Sequence, residues 1–279
     1  MRVGNALGSI PKCELEHGGT YSDPIKKIPR QFDFRATISS GNRIIRLAVE
    51  CKNLAPECPL VVCGTARSPA ESRHGYITAR PRNFYDGKEY CDSESFITKH
   101  FAANESIYRP GEFVGKSTVR IVTKARGQPA ERQEVSSDSD VYESWAQAIS
   151  SADGLCQRAT AFPQVGRQTL FHTVVIPIVV VSDNSLWTMQ YDHQGAVSAA
   201  PSQVAGCTFY VDHRVGLRRN IAGGYEWGLD ISHIHFLTMS GLVTLTKQLS
   251  ASGTAERPDG LSDVGLWGKW FPKVSPEFF

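Results

Sequence analysis

The chain lacks an apolar run long enough to cross a membrane. Its longest, Val174 to Val181, is strand-sized and is interrupted by Pro177, whereas a transmembrane helix needs roughly 20 residues. The N-terminus also lacks the basic head and apolar stretch of a secretory leader. Charge of one sign is not in excess, since 30 Lys and Arg face 28 Asp and Glu for a net charge of +2, so a disordered polyelectrolyte is excluded. We expect a soluble cytoplasmic protein with no membrane partner.

The chain has no paired set of cysteines. The chain of 279 residues contains seven cysteines, which is an odd number, and a chain of this length does not need disulfide bonds for stability. Both facts argue against a secreted disulfide framework. Cys51, Cys58 and Cys63 do not form the close pairs of a structural zinc site. His233 and His235 would face one way on a strand and offer half of such a site. Reduced cysteines in the protein core are the favoured interpretation.

The small net charge conceals local asymmetry. Residues 26–52 contain seven basic and two acidic side chains, and a second basic stretch covers residues 116–132. Residues 134–153 contain five acidic side chains and no basic one. A solvated surface is the ordinary interpretation of such runs, and a polyanion-binding surface is the alternative.

Residues 32–38 and 43–51 alternate apolar and polar side chains on either side of Gly41-Asn42, a two-residue hairpin signal. This turn predicts a register in which facing positions sum to 83, so that one face of the hairpin is entirely apolar. The predicted apolar pairs are Phe32–Cys51, Phe34–Val49, Ala36–Leu47 and Ile38–Ile45.

The other face of the predicted hairpin carries charge. The same register places Asp33 opposite Glu50, with Lys52 two residues further along, and Arg35 and Arg46 project from this side. Facing carboxylates destabilise a sheet by roughly 0.2–1 kcal/mol, and a divalent cation between them would offset that cost. Mg²⁺ uses one or two carboxylates with waters and substrate phosphates. The alternative is an exposed polar face in which the acids pair with neighbouring basic residues.

Phe32-Asp33-Phe34, followed by Leu47-Ala48-Val49-Glu50-Cys51-Lys52-Asn53, resembles the PD-(D/E)xK nuclease family. The resemblance implies an α/β restriction-endonuclease-like fold, in which a mixed central sheet is flanked by helices in the order α-β-β-β-α-β. Near-helical apolar spacing over 140–160 and an apolar β-branched run over 170–181 agree with that order. We expect one domain, with core segments at about 10–63 and 136–250, an insertion at about 64–135 and a C-terminal extension at about 250–279.

The resemblance also implies roles for particular residues. Asp33 and Glu50 would bind Mg²⁺ or Mn²⁺, with the backbone carbonyl of Cys51 as a further ligand. Lys52 would polarise the attacking water or the scissile phosphate. Many family members carry another acid on a first helix, and this sequence departs from that pattern. Three interpretations are open: the acid is absent, Glu14 or Glu16 replaces it, or the chain begins later than those of the family.

A set of basic residues is predicted to contact nucleic acid. It consists of Arg35 and Arg46 on the hairpin, Arg73 and His74 in the stretch that follows, and Lys116 in a Gly-Lys-Ser turn. The sequence therefore predicts a Mg²⁺-dependent endonuclease that hydrolyses phosphodiester bonds, with DNA as the expected substrate and a homodimer left open. The alternative is a catalytically inactive nuclease-fold protein that acts as a nucleic-acid-binding or structural module.

Overall fold

The structure is a computed structural model of the 279-residue chain. It describes residues 2–23, 27–54, 58–79, 82–85, 88–90, 96–101, 106–123, 134–136, 138–158, 171–217 and 227–253. Most of the predicted C-terminal extension, residues 254–279, lies outside the described residues.

Three α-helices are present among the described residues, and none of them is long and apolar enough to cross a membrane. They are α1 (Arg2–Gly8), α2 (Asp138–Arg158) and α3 (Met239–Gly253). A short 3₁₀ helix covers Pro69–Ser72.

Fifteen strands make up most of the described chain. They are β1 (Cys13–Ser22), β2 (Pro29–Ser40), β3 (Arg43–Lys52), β4 (Leu60–Ala66), β5 (His74–Ala79), β6 (Arg82–Tyr85), β7 (Lys88–Tyr90), β8 (Phe96–Phe101), β9 (Phe113–Thr123), β10 (Glu134–Ser136), β11 (Phe171–Val181), β12 (Leu186–Tyr191), β13 (Val197–Gln203), β14 (Gly206–Leu217) and β15 (Trp227–Thr238).

Thirteen of these strands form one mixed sheet. Its main path runs β1-β2-β3-β11-β15-β14-β9-β4-β12-β13, while β5, β8 and β10 pair beside that path, and β6 pairs with β7 separately. The expectation of a small α/β restriction-endonuclease-like core is therefore wrong. The sheet is far larger than such a core, and few helices accompany it.

The error has a physical source in residues 64–135, where weak periodicity predicted an irregular insertion. Strands β5, β8 and β9 from this range pair with the main sheet, and β9 joins β4 to β14. Backbone hydrogen bonds to neighbouring strands hold these segments in the sheet whether or not their side chains alternate. The proposed division of the chain into core and insertion stays a prediction.

The sheet is covered on both faces around β3 and β11. Helix α2 packs on one face through a cluster that includes Ala148, Ala152, Leu155, Ala48 and Val179. Helices α1 and α3 pack on the other face through a second cluster. Every residue of β11 is buried, as expected for a strand that is apolar on both faces. Strand β3 reaches β11 by a parallel pairing, so α2 covers two strands that end at the same edge.

Candidate active site

The β2–β3 hairpin positions the predicted acids. Its ladder confirms the predicted pairs Phe34–Val49, Ala36–Leu47 and Ile38–Ile45, across a turn in which Gly41 has φ +57°. Glycine adopts that left-handed conformation without steric cost.

The hairpin ladder ends at Phe34–Val49, so it includes neither of the predicted pairs Phe32–Cys51 and Asp33–Glu50. The placement of Asp33 opposite Glu50 stays a prediction. The Cys51 N–H donates to Asp33 Oδ2 at 2.7 Å. On the neighbouring strand β1, Gly18 has φ +61° and lies between the ladder pairs His17–Phe34 and Gly19–Phe32, next to Asp33. The side chain of Asp33 therefore supplies the bond that the backbone ladder no longer makes.

Glu50 is the most unusual group in the site. Its side chain is only 3% exposed, and within the described part of the chain its Oε1 has no hydrogen-bond partner. Burial, and next the charge of Asp33, raise the pKa of Glu50 to about 8, against the opposing charges of Lys52 and Arg35. A buried carboxylate oxygen without a partner is costly, so the site favours a bound cation or a proton.

Lys52 lies at the open end of the site and is half-buried. Its Nζ donates to Gln147 Oε1 of α2 at 3.1 Å, and the Tyr21 hydroxyl donates to the Gln147 carbonyl at 3.4 Å. Sequence reasoning missed Gln147. The one feature of the sequence that could have indicated Gln147 is its spacing. It precedes Ser151 by one helical turn, so both residues lie on the face of α2 that meets β2.

Two of the expected nucleic-acid contacts are buried below α2. Arg35 is 2% exposed and Arg46 is 8% exposed, and Arg35 donates two hydrogen bonds to Ser151 of α2. Neither guanidinium offers a surface to a phosphate backbone. Because α2 covers the face from which they project, their expected role as direct nucleic-acid contacts has no support from their positions and stays a prediction.

The remaining basic residues of that set lie elsewhere in the sheet. Lys116 pairs with Glu71 and its Nζ lies 4.9 Å from the centre of the Tyr210 ring. Tyr210 faces His233 in the β14–β15 ladder, on the side of the sheet opposite Glu50. Arg73 is exposed, whereas His74 is 4% exposed. The structure therefore does not bring Lys116 or His74 to the Asp33–Glu50 pair.

Glu14 and Glu16, the candidate additional acids, are exposed on β1. Glu14 faces Thr37 and Glu16 faces Arg35 in the β1–β2 ladder. The charges that shift the pKa of Glu50 come from Asp33, Lys52 and Arg35. The participation of Glu14 and Glu16 in metal binding stays a prediction, as does that of the Cys51 carbonyl.

A second polar cluster lies on the opposite face, and we call it the histidine cluster. It consists of His74, His233 and His235 with Tyr108 and Arg67. Tyr108 stacks on His233 at 3.6 Å between ring centres, and its hydroxyl lies 3.0 Å from His235 Nε2. Burial lowers the pKa of His233 to about 2 and that of His235 to about 4. These two histidines are therefore neutral at physiological pH, and they face one way, as the sequence predicts.

Arg67 lies at the edge of the histidine cluster, with its Cζ 5.5 Å from the centre of the Tyr108 ring. Its Nη1 donates to the Arg109 carbonyl and to Glu112, and its Nη2 donates to the Phe113 carbonyl and to Thr208 at 2.6 Å. A pocket of about 310 Å³ lies beside it. With four of its donors already paired inside the protein, Arg67 joins β4 to β14 and to the segment before β9.

The donor set of the Asp33–Glu50 pair fits a divalent cation. One carboxylate oxygen of Glu50 is buried without a partner, and Asp33 lies close enough to raise the pKa of Glu50. Two carboxylates completed by water and substrate oxygens are a usual arrangement for Mg²⁺. Over the described ranges, no three or more His, Cys, Asp or Glu residues are grouped as a metal site.

Comparison with known proteins gives no relative. No protein family, curated protein or solved structure matches the chain.

Proposed function

We propose that the protein is a divalent-metal-dependent nuclease whose active site contains Asp33, Glu50 and Lys52. The observation that carries the proposal is the buried, unpartnered Oε1 of Glu50 beside Asp33. The sequence pattern of one acid on a strand and Glu-x-Lys on the next supports the same chemistry.

Each residue has a distinct role in the proposed reaction. Asp33 and Glu50 would hold the cation, which when bound would activate water and neutralise charge on the phosphate. Lys52 would stabilise the negative charge that develops on the phosphate oxygens. Gln147 accepts a hydrogen bond from Lys52 Nζ and so restricts the direction in which the ammonium points. Glu50 is buried away from bulk water, which strengthens these charge interactions.

The test is cleavage of supercoiled plasmid, single-stranded DNA and RNA with Mg²⁺, Mn²⁺ or EDTA. We expect metal-dependent cleavage that is lost in Glu50→Gln and reduced at least about 100-fold in Lys52→Met, because transition-state charge stabilisation is removed. The matched controls are Asp212→Asn and Lys247→Met, which alter exposed residues on β14 and α3.

Metal binding provides a second readout that needs no substrate. Calorimetric titration with Mn²⁺ should give binding to the wild type and none to Glu50→Gln, with Asp212→Asn unchanged. Cleavage that persists in EDTA, or in folded Glu50→Gln, would contradict the proposal.

A non-catalytic nucleic-acid-binding role is the second candidate. Two observations favour it, since Glu50 is only 3% exposed and Asp33 is already engaged by the Cys51 N–H. A gel shift with any of the three nucleic acids, without cleavage in either metal, would support this role instead.

A further inference from the structure

We propose that Arg35 is a positioning residue, which fixes α2 over the site and thereby holds Lys52 in place through Gln147. This inference rests on the proposed function. It replaces the expected surface role of Arg35 with one inside the protein.

The guanidinium of Arg35 makes a two-point contact with one residue of α2. Nε donates to Ser151 Oγ at 3.2 Å, and Nη2 donates to the Ser151 carbonyl at 3.0 Å. Arg35 is 2% exposed and Ser151 is fully buried. Because one planar group bonds both a side chain and a backbone carbonyl, it restricts both rotation and sliding of the helix.

The packing around Arg35 leaves the guanidinium little freedom to move. Its Cζ lies 4.2 Å from the centre of the Phe32 ring and 5.2 Å from that of Tyr21. A Cβ atom at Gly154 of α2 would lie 2.7 Å from Arg35 Nη2, so glycine allows the close approach of the helix. A Cβ at Gly19 would lie 2.6 Å from the Phe32 ring. Glycines therefore make room on both sides of the Phe32–Arg35 stack.

The contact connects directly to the proposed site. Gln147 lies one helical turn before Ser151, so an anchor at Ser151 also fixes the height of Gln147 above the sheet. Gln147 then accepts from Lys52 Nζ and, through its carbonyl, from the Tyr21 hydroxyl. A shift of α2 by even about 1 Å would displace Lys52, and such misplacement costs on the order of 100-fold in rate.

The experiment combines kinetics with thiol labelling in Arg35→Met and Arg35→Lys. Cys156 of α2 is fully buried against the sheet, so its labelling by a maleimide, followed by mass spectrometry, measures loosening of α2. Cys63 of β4 is 5% exposed and serves as an internal control for general unfolding. Arg214→Met, an exposed arginine on β14, is the matched control variant.

For Arg35→Met we expect labelling of Cys156 to accelerate at least about 10-fold while Cys63 stays protected. Plasmid cleavage in Mg²⁺ should show a fall in kcat of about 10- to 100-fold, with KM within about two-fold of wild type, since positioning is lost rather than binding. Arg35→Lys should recover part of both effects, because it keeps the charge but not the planar two-point contact.

Several outcomes would overturn the inference. Unchanged labelling of Cys156 in both variants would show that Arg35 does not anchor α2. Faster labelling with kcat equal to that of Arg214→Met would show that the anchor does not serve the reaction. Failure of the proposed function is recognised separately, because the wild type itself would then cleave no nucleic acid, while Cys156 labelling would still report on the anchor.

Discussion

Glu50 and Arg67 are two charged residues that are each 3% exposed, on opposite faces of one sheet, and their surroundings differ in one respect. Arg67 donates four hydrogen bonds to protein acceptors through Nη1 and Nη2, and of its donor atoms only Nε has no partner in the described chain. Glu50, in contrast, leaves its carboxylate oxygen Oε1 without a partner there. A satisfied buried charge contributes to the structure, while an unsatisfied one costs free energy. Equal burial therefore has different consequences for the two residues, and under the proposed function Glu50 is the group retained for chemistry.

The largest expected effect on stability concerns Arg67, the residue of this comparison that we assign a structural role. Arg67→Met should destabilise the protein by about 3 kcal/mol, because the carbonyls of Arg109 and Phe113 and the Thr208 hydroxyl lose their donor. Urea unfolding at pH 7 measures this change. Lys116→Met, which removes an ion pair near the surface, should cost only about 0.5 kcal/mol. Equal losses in the two variants would contradict the structural assignment of Arg67.

Glu50→Gln should change the free energy of unfolding in the opposite direction. At pH 8.5 in EDTA the wild-type carboxylate is ionised in a buried setting, so its removal should stabilise the protein by about 2 kcal/mol. Chemical unfolding of the wild type and the variant at that pH gives the difference. A destabilisation of similar size would show that Glu50 is satisfied in the folded protein.

The pH dependence of stability should differ between the two faces. The pKa of Glu50 is raised from 4.5 to about 8 on folding, so the folded state binds more protons and its stability falls as pH rises from about 4.5 to 8. The pKa of His233 is lowered from 6.5 to about 2, so its contribution is complete above pH 6.5 and is lost as pH falls below that value.

Of these two contributions, therefore, only that of Glu50 should change substantially between pH 6.5 and 8. Glu50→Gln should remove a decline that cannot exceed about 1.4 kcal/mol per pH unit for one proton. His233→Asn should reduce the loss of stability between pH 6.5 and 4. Unfolding free energies across pH 4–8 in EDTA check both statements, and a Glu50→Gln profile parallel to that of wild type above pH 6.5 would refute the first.

The smallest expected effect concerns Lys52, at the half-buried rim of the site. Lys52→Met removes one hydrogen bond to Gln147, and we expect a loss of stability of less than about 1 kcal/mol. Thermal unfolding at pH 7 measures it. A loss as large as that of Arg67→Met would mean that Lys52 is a structural residue rather than a component of the proposed site.

Local patterns predicted several elements correctly. Apolar spacing over 140–160 corresponds to α2 (Asp138–Arg158), the β-branched run corresponds to β11 (Phe171–Val181), and the apolar face of the hairpin has the predicted register. These features depend on side-chain periodicity within one segment or across one turn, and the sequence records that directly.

The same reasoning failed where distant segments meet. The size of the sheet depends on pairings such as β4 with β9 and β9 with β14, which no local pattern specifies. The burial of Arg35 depends on α2, which begins more than a hundred residues later in the chain. From the sequence alone, a charged residue on a strand can face either solvent or a helix. Only the position of that helix in the fold distinguishes the two cases.

For this protein, then, the sequence alone determined which residue types share the hairpin, because strand periodicity and a Gly-Asn turn leave one register that keeps the apolar face together. The surroundings of each charge, in contrast, depend on the tertiary structure. The position of α2 buries Arg35 and supplies Ser151 as its hydrogen-bond partner, and packing around β3 removes water from Glu50. The end of the hairpin ladder at Phe34–Val49 turns Asp33 towards the backbone of Cys51. Charge interactions depend on burial and on partners distant in sequence, and folding alone brings those together.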